Sequence, residues 1–335
     1  MSRKLLSYTA ISLIFTSSAI ADVPKVAVDI APVHSLVARV MEGVGNPKLI
    51  IPTGASPHEY SLRPSEAKSL QDADMVIWMG EGLAPWMENS IETLSKNAEV
   101  VTLLEESETK LLKFREGALF EEHDHDDHDD HDDHDDHDDH DDHDDHDDHD
   151  DHDDHDDHDD HDDHGHAHGE FDAHIWLDPM NAKEMVHEIA HELGDLDPAN
   201  KNKYEANAQA TIQALDQLVN DIEKGINKDA KFVVFHDAYQ YFEERFGVRS
   251  TGALTLNTDV LPGAKQIADI QDVIKDRGIK CIFSEPQFNP KIITTIAEDM
   301  NIKTGVFDPL GANIDSNKDL YFKLIQNLGN ELKGC

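Results

Sequence analysis

Short apolar runs alternate with segments of helical periodicity along most of the chain. Buried strands are predicted at residues 26–30, 48–51, 75–79 and 100–103, and again at residues 175–177, 232–235, 281–283 and 304–307. Helices are predicted at residues 35–42, 64–71, 182–193, 266–275, 290–300 and 319–332. Continuous apolar strands that alternate with helices are typical of parallel sheets covered by helices.

A longer amphipathic segment separates the two sets of strands. Its apolar side chains recur every 3.6 residues from residue 198 to residue 225, which predicts a helix of roughly 40 Å. Gly194 is expected to end the helix before it, and Ser65 to cap the helix at residues 64–71. The predicted fold class is therefore α/β, with two lobes that each contain a mostly parallel sheet flanked by helices, joined by one long rigid linker helix.

The N-terminus has the pattern of a secretory signal peptide. Arg3 and Lys4 precede an apolar stretch that leads to Ala-Ile-Ala at residues 19–21, a cleavage pattern. No later apolar stretch is long enough to span a bilayer, so we expect an exported mature protein that is not embedded in the membrane. The predicted organisation is a signal peptide at 1–21, an N-terminal α/β lobe at 22–195, a linker helix at 196–227 and a C-terminal α/β lobe at 228–335.

The chain is strongly acidic, and the charge is unevenly distributed. It has 71 Asp and Glu against 28 Lys and Arg, a net charge of −43. A chain with no basic surplus cannot neutralise phosphates, which excludes a nucleic-acid partner. Much of the acidic excess lies in residues 121–169, where His-Asp-Asp repeats without interruption from His128 to His161. Such a segment cannot bury a core and repels itself, so we expect a disordered insert within the N-terminal lobe.

This insert also has the side chains of a metal-binding segment. Residues 123–168 contain 17 of the 23 histidines, and imidazole and carboxylate groups together bind divalent transition metals. A solvated acidic loop without metal is the alternative. We predict auxiliary, low-affinity metal binding by histidines of this run, among them His123, His125, His128, His131, His161, His164, His166 and His168.

Three histidines outside the run stand near predicted strand ends. His58 follows the strand at 48–51 through a turn-rich loop, His174 precedes residues 175–177, and His236 follows the strand at 232–235. Ligands of two-lobe α/β proteins bind between the lobes, at the carboxyl ends of strands. Each histidine alone has an equally good structural explanation, but the three together predict a site. His34, at a helix start, is interpreted as structural.

The two cysteines, Cys281 and Cys335, form an even set in an exported chain, which favours a disulfide. Two free thiols are the alternative. A bridge would hold the C-terminal helix to its own lobe.

Motifs distributed over the mature chain resemble those of one family. They are residues 54–60 (GASPHEY), 63–65 (RPS), 174–179 (HIWLDP), 235–239 (FHDAY), 284–287 (SEPQ) and 307–311 (FDPLG). In these motifs and their order, the chain resembles the zinc-uptake substrate-binding proteins of ABC importers, the ZnuA type within the metal-binding cluster of that superfamily. Proteins of this family carry an acidic, histidine-rich loop just before the second ligand motif and a similar C-terminal disulfide.

The resemblance implies a metal and its ligands. His58, His174 and His236 take the positions of the ligands in the family, and Asp308 takes the position of a carboxylate that binds metal in manganese-binding relatives. Three neutral imidazoles suit a tetrahedral Zn²⁺ site, whereas manganese relatives have a carboxylate where His236 stands.

The resemblance leaves the fourth ligand open. Some members have a glutamate before the first histidine, where this chain has Pro57. The candidates are water, Asp308 and Glu59. Asp237 and Glu285 are expected, from their motif positions, to orient the imidazoles.

A second metal motif, HEIAH at residues 187–191, matches the H-E-x-x-H pattern of zinc proteases on a predicted helix. Burial of the apolar side chains of this helix would leave His187 and His191 on a polar stripe, and a long amphipathic helix follows instead of a Met-turn. We interpret the pair as solvated, with a minor surface metal site and catalysis as alternatives.

Together these interpretations predict a monomeric periplasmic protein, not an enzyme, that binds Zn²⁺ as its transported ligand. Its expected partner is the inner-membrane ABC permease of a zinc importer. Zinc affinity should fall as the pH drops through about 6.5, because only neutral imidazoles bind metal. An exported zinc buffer or storage protein and an H-E-x-x-H metalloprotease are the alternatives.

Overall fold

The computed structural model of the chain describes residues 23–106, 108–115, 117, 119–120, 171–256 and 262–335. The predicted signal peptide and the whole region 121–169, including its histidines, lie outside these residues. In the part of the chain that is described, no helix is both long enough and apolar enough to cross a membrane.

Strands form two parallel sheets. They are β1 (Val26–Val28), β2 (Lys48–Leu49), β3 (Met75–Trp78), β4 (Glu99–Thr102), β5 (Phe232–His236), β6 (Ala253–Thr255), β7 (Cys281–Ser284) and β8 (Lys303–Val306). The first sheet has the order β2-β1-β3-β4 and the second the order β6-β5-β7-β8. Each pairing is parallel. The predicted α/β fold class is confirmed, and the two sheets repeat the same strand order.

Helices connect the strands and flank the sheets. They are α1 (Ala31–Val40), α2 (Pro64–Gln71), α3 (Pro85–Leu94), α4 (Pro179–Leu196), α5 (Lys201–Glu223), α6 (Gln240–Phe246), α7 (Ala264–Asp276), α8 (Lys291–Met300) and α9 (Leu320–Leu332). In sequence, α5 stands between the two sheets, and it packs against α4, α1 and α9. The role of this helix as a rigid linker, and the predicted domain limits, stay predictions.

One predicted strand is wrong. Ile175–Leu177 forms a short 3₁₀ helix, in which the N–H of Leu177 donates to the carbonyl of His174 at 3.1 Å. A carboxylate oxygen of Asp178 then accepts a hydrogen bond from the N–H of Met180 and caps α4. The apolar run is therefore buried as a turn of helix that leads into α4, because its backbone groups pair locally and not with a neighbouring strand.

Two predicted helix ends are also wrong. Gly194 lies inside α4, which continues to Leu196, and a Cβ at Gly194 would lie 2.9 Å from Cγ of Lys201. The absence of a side chain there allows the close approach of the first turn of α5. The N-cap of α2 is Arg63, not Ser65, because the helix begins at Pro64. The N–H of Arg63 donates to Oε2 of Glu66 at 2.7 Å.

The disulfide predicted between Cys281 and Cys335 is present, with Cα atoms 5.7 Å apart. Cys281 begins β7, and Cys335 follows the end of α9. The bridge therefore ties the last residue of the chain to a central strand of the second sheet. In α9, an apolar stripe including Leu324, Ile325 and Leu328 is buried.

Candidate metal centre

His58, His174 and His236 converge on one point. Each offers a ring nitrogen, and these atoms lie within 4.8 Å of one another. The ring centroids are 5.5 Å apart for His58 and His174, 5.5 Å for His58 and His236, and 4.9 Å for His174 and His236. The structure thus brings together three residues that stand far apart in the sequence.

Different elements position the three side chains. His236 is the last residue of β5, so a buried apolar strand presents its imidazole at the carboxyl end of the second sheet. His174 precedes the 3₁₀ helix Ile175–Leu177, and His58 lies in the loop between β2 and α2. Strand ends and the loops that follow them are where open parallel sheets bind ligands.

The histidines line a small pocket, with a cavity of about 10 Å³. Its other lining residues are Ser56, Pro57, Trp176, Glu285, Gln287, Phe288, Pro309 and Leu310. A cavity of this size holds about one water molecule. The pocket therefore suits a single ion better than an organic ligand.

The pKa shifts of His58 and His236 have opposite directions. Desolvation, reinforced by His174 and His236, lowers the pKa of His58 well below its usual value of 6.5. Burial also lowers the pKa of His236, but neighbouring carboxylates, of which Glu285 contributes most, outweigh burial and raise the pKa above 6.5. The imidazole of His58 is therefore neutral at neutral pH, whereas a proton would compete with a metal for His236.

Two carboxylates orient two of the rings. Oδ1 of Asp172 lies 2.6 Å from Nδ1 of His174, and Oε2 of Glu285 lies 3.3 Å from Nδ1 of His236. The predicted orienting role of Glu285 agrees with this contact. Asp172 was not foreseen, although its position two residues before a candidate ligand is visible in the sequence.

Asp237 has a different partner from the one expected. Its carboxylate pairs with the guanidinium of Arg115, which also binds Glu243, and the two carboxylate side chains are each 4% exposed. The partner of Asp237 is therefore an arginine that stands 122 positions earlier in the chain, and not an imidazole. Sequence position beside His236 did not reveal that partner.

Asp308 and Glu59, the two predicted protein candidates for the fourth ligand, lie outside the histidine group. Oδ1 of Asp308 accepts hydrogen bonds from Nε2 of Gln287 and from two backbone N–H groups, and Oδ2 accepts from the N–H of Ala312 at 2.6 Å. Glu59 is exposed. The carboxylate of Asp308 thus organises the loop at residues 308–312, and its role as a ligand stays a prediction.

The remaining described histidines lie elsewhere. His34 is 9% exposed in α1, its Nε2 is 3.2 Å from the carbonyl of Pro47, and desolvation lowers its pKa. His187 and His191 are exposed on α4. A second group of three ligand atoms joins His191 to Glu188 and Glu192 but leaves out His187, so the two histidines of the H-E-x-x-H motif do not share it.

Two parallel sheets and a cluster of three imidazoles at strand ends define an α/β protein with a candidate site for one divalent transition metal. The sequence model of the family described as "Zinc-uptake complex component A periplasmic" (ZnuA) matches residues 26–335. The chain belongs to this family. Membership confirms the expectation that the protein is a binding component of an uptake system and not an enzyme.

Individual relatives agree with the family. The high-affinity zinc uptake system protein ZnuA of Brucella abortus (strain 2308) is 48% identical over 312 residues, which cover 92% of this chain and 91% of the relative. The protein of the same description from Yersinia pestis is 31% identical over 319 residues, with coverage of 92% and 90%. A crystal structure of ZnuA shares the fold, with a TM-score of 0.68 at 19% identity over 92% of this chain and 99% of that one.

Proposed function

We propose that this protein binds Zn²⁺ in the periplasm through His58, His174 and His236 and delivers it to the inner-membrane permease of an ABC importer. The observation that carries the proposal is the convergence of three imidazoles, whose ligand nitrogens lie within 4.8 Å of one another, in a chain of the zinc-uptake family. Relatives described as high-affinity zinc uptake system proteins support zinc as the transported ion.

The chemistry of the site favours zinc. Nitrogen ligands of a tetrahedral Zn²⁺ ion are roughly 3.4 Å from one another when each Zn–N bond is about 2.1 Å. The three ring nitrogens lie within 4.8 Å of one another, so only small side-chain movements are needed for them to bind one ion. Neutral imidazoles suit a borderline-soft ion such as Zn²⁺. Harder ions prefer carboxylate ligands, and the group of three histidines includes no carboxylate.

For the fourth position we propose water. Asp308 already accepts four hydrogen bonds from Gln287 and its own loop. Both oxygens of Glu285 are 3.3 Å from Nδ1 of His236, but only Oε2 has hydrogen-bonding geometry, and Oε1 is buried without a hydrogen-bond partner. Glu285 lines the pocket, so Oε1 can accept a hydrogen bond from a metal-bound water.

The His/Asp-rich run at residues 121–169 is proposed to collect metal at lower affinity. Its composition supports this role, since imidazole recurs at every third residue between His128 and His161. Described residues on either side of the run pair with other segments of the chain: the N–H of Phe120 donates to the carbonyl of Thr251, and Phe171 forms a β-bridge with Lys113.

Zinc titration calorimetry tests the proposal. The mature protein and a deletion of residues 121–169 are titrated in parallel, each with and without His58→Ala. His187→Ala in the deletion is the matched control, because His187 is an exposed histidine outside the group. We expect one tight site in the deletion, its loss with His58→Ala, and its retention with His187→Ala.

The opposite result would identify a zinc buffer. The abundance of histidine in the run is the observation that favours this second candidate function. If deletion of residues 121–169 removed tight binding and His58→Ala left it unchanged in the full chain, the run would be the principal binder. The pocket lined by His58, His174 and His236 would then not be the site of the transported ion.

A further inference from the structure

Asp172 is a fully buried carboxylate, with 0% of its surface exposed, at the back of the histidine group. Oδ1 accepts a hydrogen bond from the N–H of His174 at 2.9 Å and lies 2.6 Å from Nδ1 of the same residue. Oδ2 accepts a hydrogen bond from Nε2 of Gln240 at 2.6 Å. Each oxygen of this carboxylate therefore has a polar partner inside the protein.

The orientation of the Gln240 amide follows from its second partner. Nε2 of Gln240 also lies 3.2 Å from the backbone carbonyl of Lys113, which can only accept a hydrogen bond. The atom between this carbonyl and Asp172 must therefore be the amide nitrogen. Oδ2 of Asp172 is consequently an acceptor, as is Oδ1 towards the N–H of His174, and acceptance at both oxygens is the hydrogen-bond pattern of an ionised carboxylate, which can only accept.

The proton between Asp172 and His174 thus belongs to the imidazole. With Nδ1 as the donor, the lone pair of a neutral His174 is on Nε2, the nitrogen left for a metal. We propose that Asp172, held by Gln240, is a positioning residue that fixes the tautomer and ring orientation of His174 and thereby sets zinc affinity. This inference rests on the proposed function, since it concerns how one of the three ligands is prepared.

Further contacts hold the backbone of Asp172 in place. The hydroxyl of Tyr241 donates to the carbonyl of Asp172 and accepts from the N–H of Leu112, both at 2.8 Å. The N–H of Asp172 donates to the carbonyl of Leu112 at 2.8 Å. Since Gln240 and Tyr241 begin α6, this helix supplies both the amide and the hydroxyl that immobilise Asp172. The carboxylate contact of His174, at 2.6 Å, is therefore shorter than that of His236, which Glu285 approaches to 3.3 Å.

Asp172→Asn and Gln240→Leu test the inference in the full-length mature chain. Asparagine has one acceptor oxygen, so it cannot accept from both Nδ1 of His174 and the amide of Gln240. Leucine keeps the approximate size of Gln240 and removes its donor. Asp197→Asn is the matched control, because Asp197 is also a buried carboxylate that accepts side-chain hydrogen bonds, from Asn200 and Tyr204, and it does not line the pocket.

Zinc affinity is measured by chelator competition, so that only the tightest site fills, together with the absorption spectrum after one equivalent of Co²⁺ and the melting temperature of the metal-free protein. We expect Asp172→Asn to weaken zinc binding about 10- to 100-fold and Gln240→Leu about 10-fold, each with an altered Co²⁺ spectrum. Asp197→Asn should lower the melting temperature and leave affinity and spectrum unchanged.

Wild-type affinity and an unchanged Co²⁺ spectrum in Gln240→Leu and Asp172→Asn would overturn the inference. If Asp172→Asn does not fold, Gln240→Leu decides alone. His174→Ala separates this outcome from failure of the proposed function. Tight binding that survives His174→Ala would reject the site itself, whereas tight binding lost in His174→Ala but kept in the two positioning variants would reject only the role of Asp172 and Gln240.

Discussion

Glu285 lies against His236 with Oε2 3.3 Å from Nδ1, and both side chains are buried. A carboxylate in this position stabilises the charged imidazole, and it raises the pKa of His236 even though burial acts in the opposite direction. The same carboxylate orients the ring for a metal. Under the proposed function, Glu285 would therefore both orient His236 for zinc and strengthen the competition between protons and zinc for this imidazole.

This pair predicts the pH dependence of zinc affinity. As the pH falls, His236 is protonated before His58, because the pKa of His236 is raised above 6.5 and that of His58 is lowered. A protonated imidazole cannot bind zinc, so affinity should begin to decline above pH 6.5. Glu285→Gln removes the charge that raises the pKa of His236, and the decline should then begin at lower pH.

Chelator competition between about pH 5 and pH 8 measures this shift. Glu59→Gln is the control, because Glu59 is an exposed carboxylate close in sequence to His58, and it should keep the wild-type midpoint. Equal midpoints in Glu285→Gln and wild type would show that the carboxylate does not control protonation of the site.

Asp308→Asn distinguishes a ligand from a loop-organising residue. The carboxylate accepts from Gln287 and from the backbone of residues 310–312. An amide in its place leaves part of this set unpaired, so we expect a loss of about 1–3 kcal/mol in the free energy of unfolding. Zinc affinity, measured by chelator competition, should change less than about 10-fold, whereas a loss beyond about 100-fold would identify Asp308 as a ligand.

Arg115→Met should destabilise the protein strongly. The guanidinium pairs with Asp237 and Glu243, whose side chains are each 4% exposed, and its removal leaves two buried carboxylates without a cation. Breaking a buried ion pair costs about 3–5 kcal/mol. Urea denaturation at neutral pH measures the change.

Arg39→Met is a close control for this variant. Arg39 also stacks on a phenylalanine ring, at 3.9 Å compared with 3.7 Å for Arg115, but its acidic partner Asp319 is 48% exposed. The loss for Arg39→Met should be about 1 kcal/mol or less from its ion pair. If the two variants lost equal free energy of unfolding, burial of Asp237 and Glu243 would not be the reason for the effect of Arg115→Met.

Removal of the disulfide should affect stability and not metal binding. The bridge spans 54 positions, and the loss of this cross-link in Cys281→Ala/Cys335→Ala should cost roughly 4 kcal/mol by loop entropy. Neither cysteine lines the pocket, so zinc affinity should be unchanged. Thermal unfolding of the variant is compared with that of the oxidised wild type, with the reduced wild type as a control that should match the variant; a variant as stable as the oxidised wild type would reject the estimate.

Much of the fold could be predicted because the strands are buried on both faces and read as continuous apolar runs. Met75–Trp78 lies within the predicted run at 75–79, and Pro64–Gln71 coincides with the predicted helix at 64–71. Three elements were missed: β6 has three residues, α6 has seven, and the helix α3 (Pro85–Leu94) has ten. Ile175–Leu177 was read as a strand because an apolar triplet has no period that separates a strand from a turn of helix.

The sequence alone determined the fold class and selected His58, His174 and His236, since the strand pattern and the motifs around these histidines are local. The tertiary structure decided which partners the carboxylates near these histidines have. Asp172 meets Gln240 across 68 positions and Asp237 meets Arg115 across 122, and the amide of Gln240 is oriented by a carbonyl in a third segment. Such pairings depend on how distant backbones pack, and no property of the separate residues specifies them before the chain has folded.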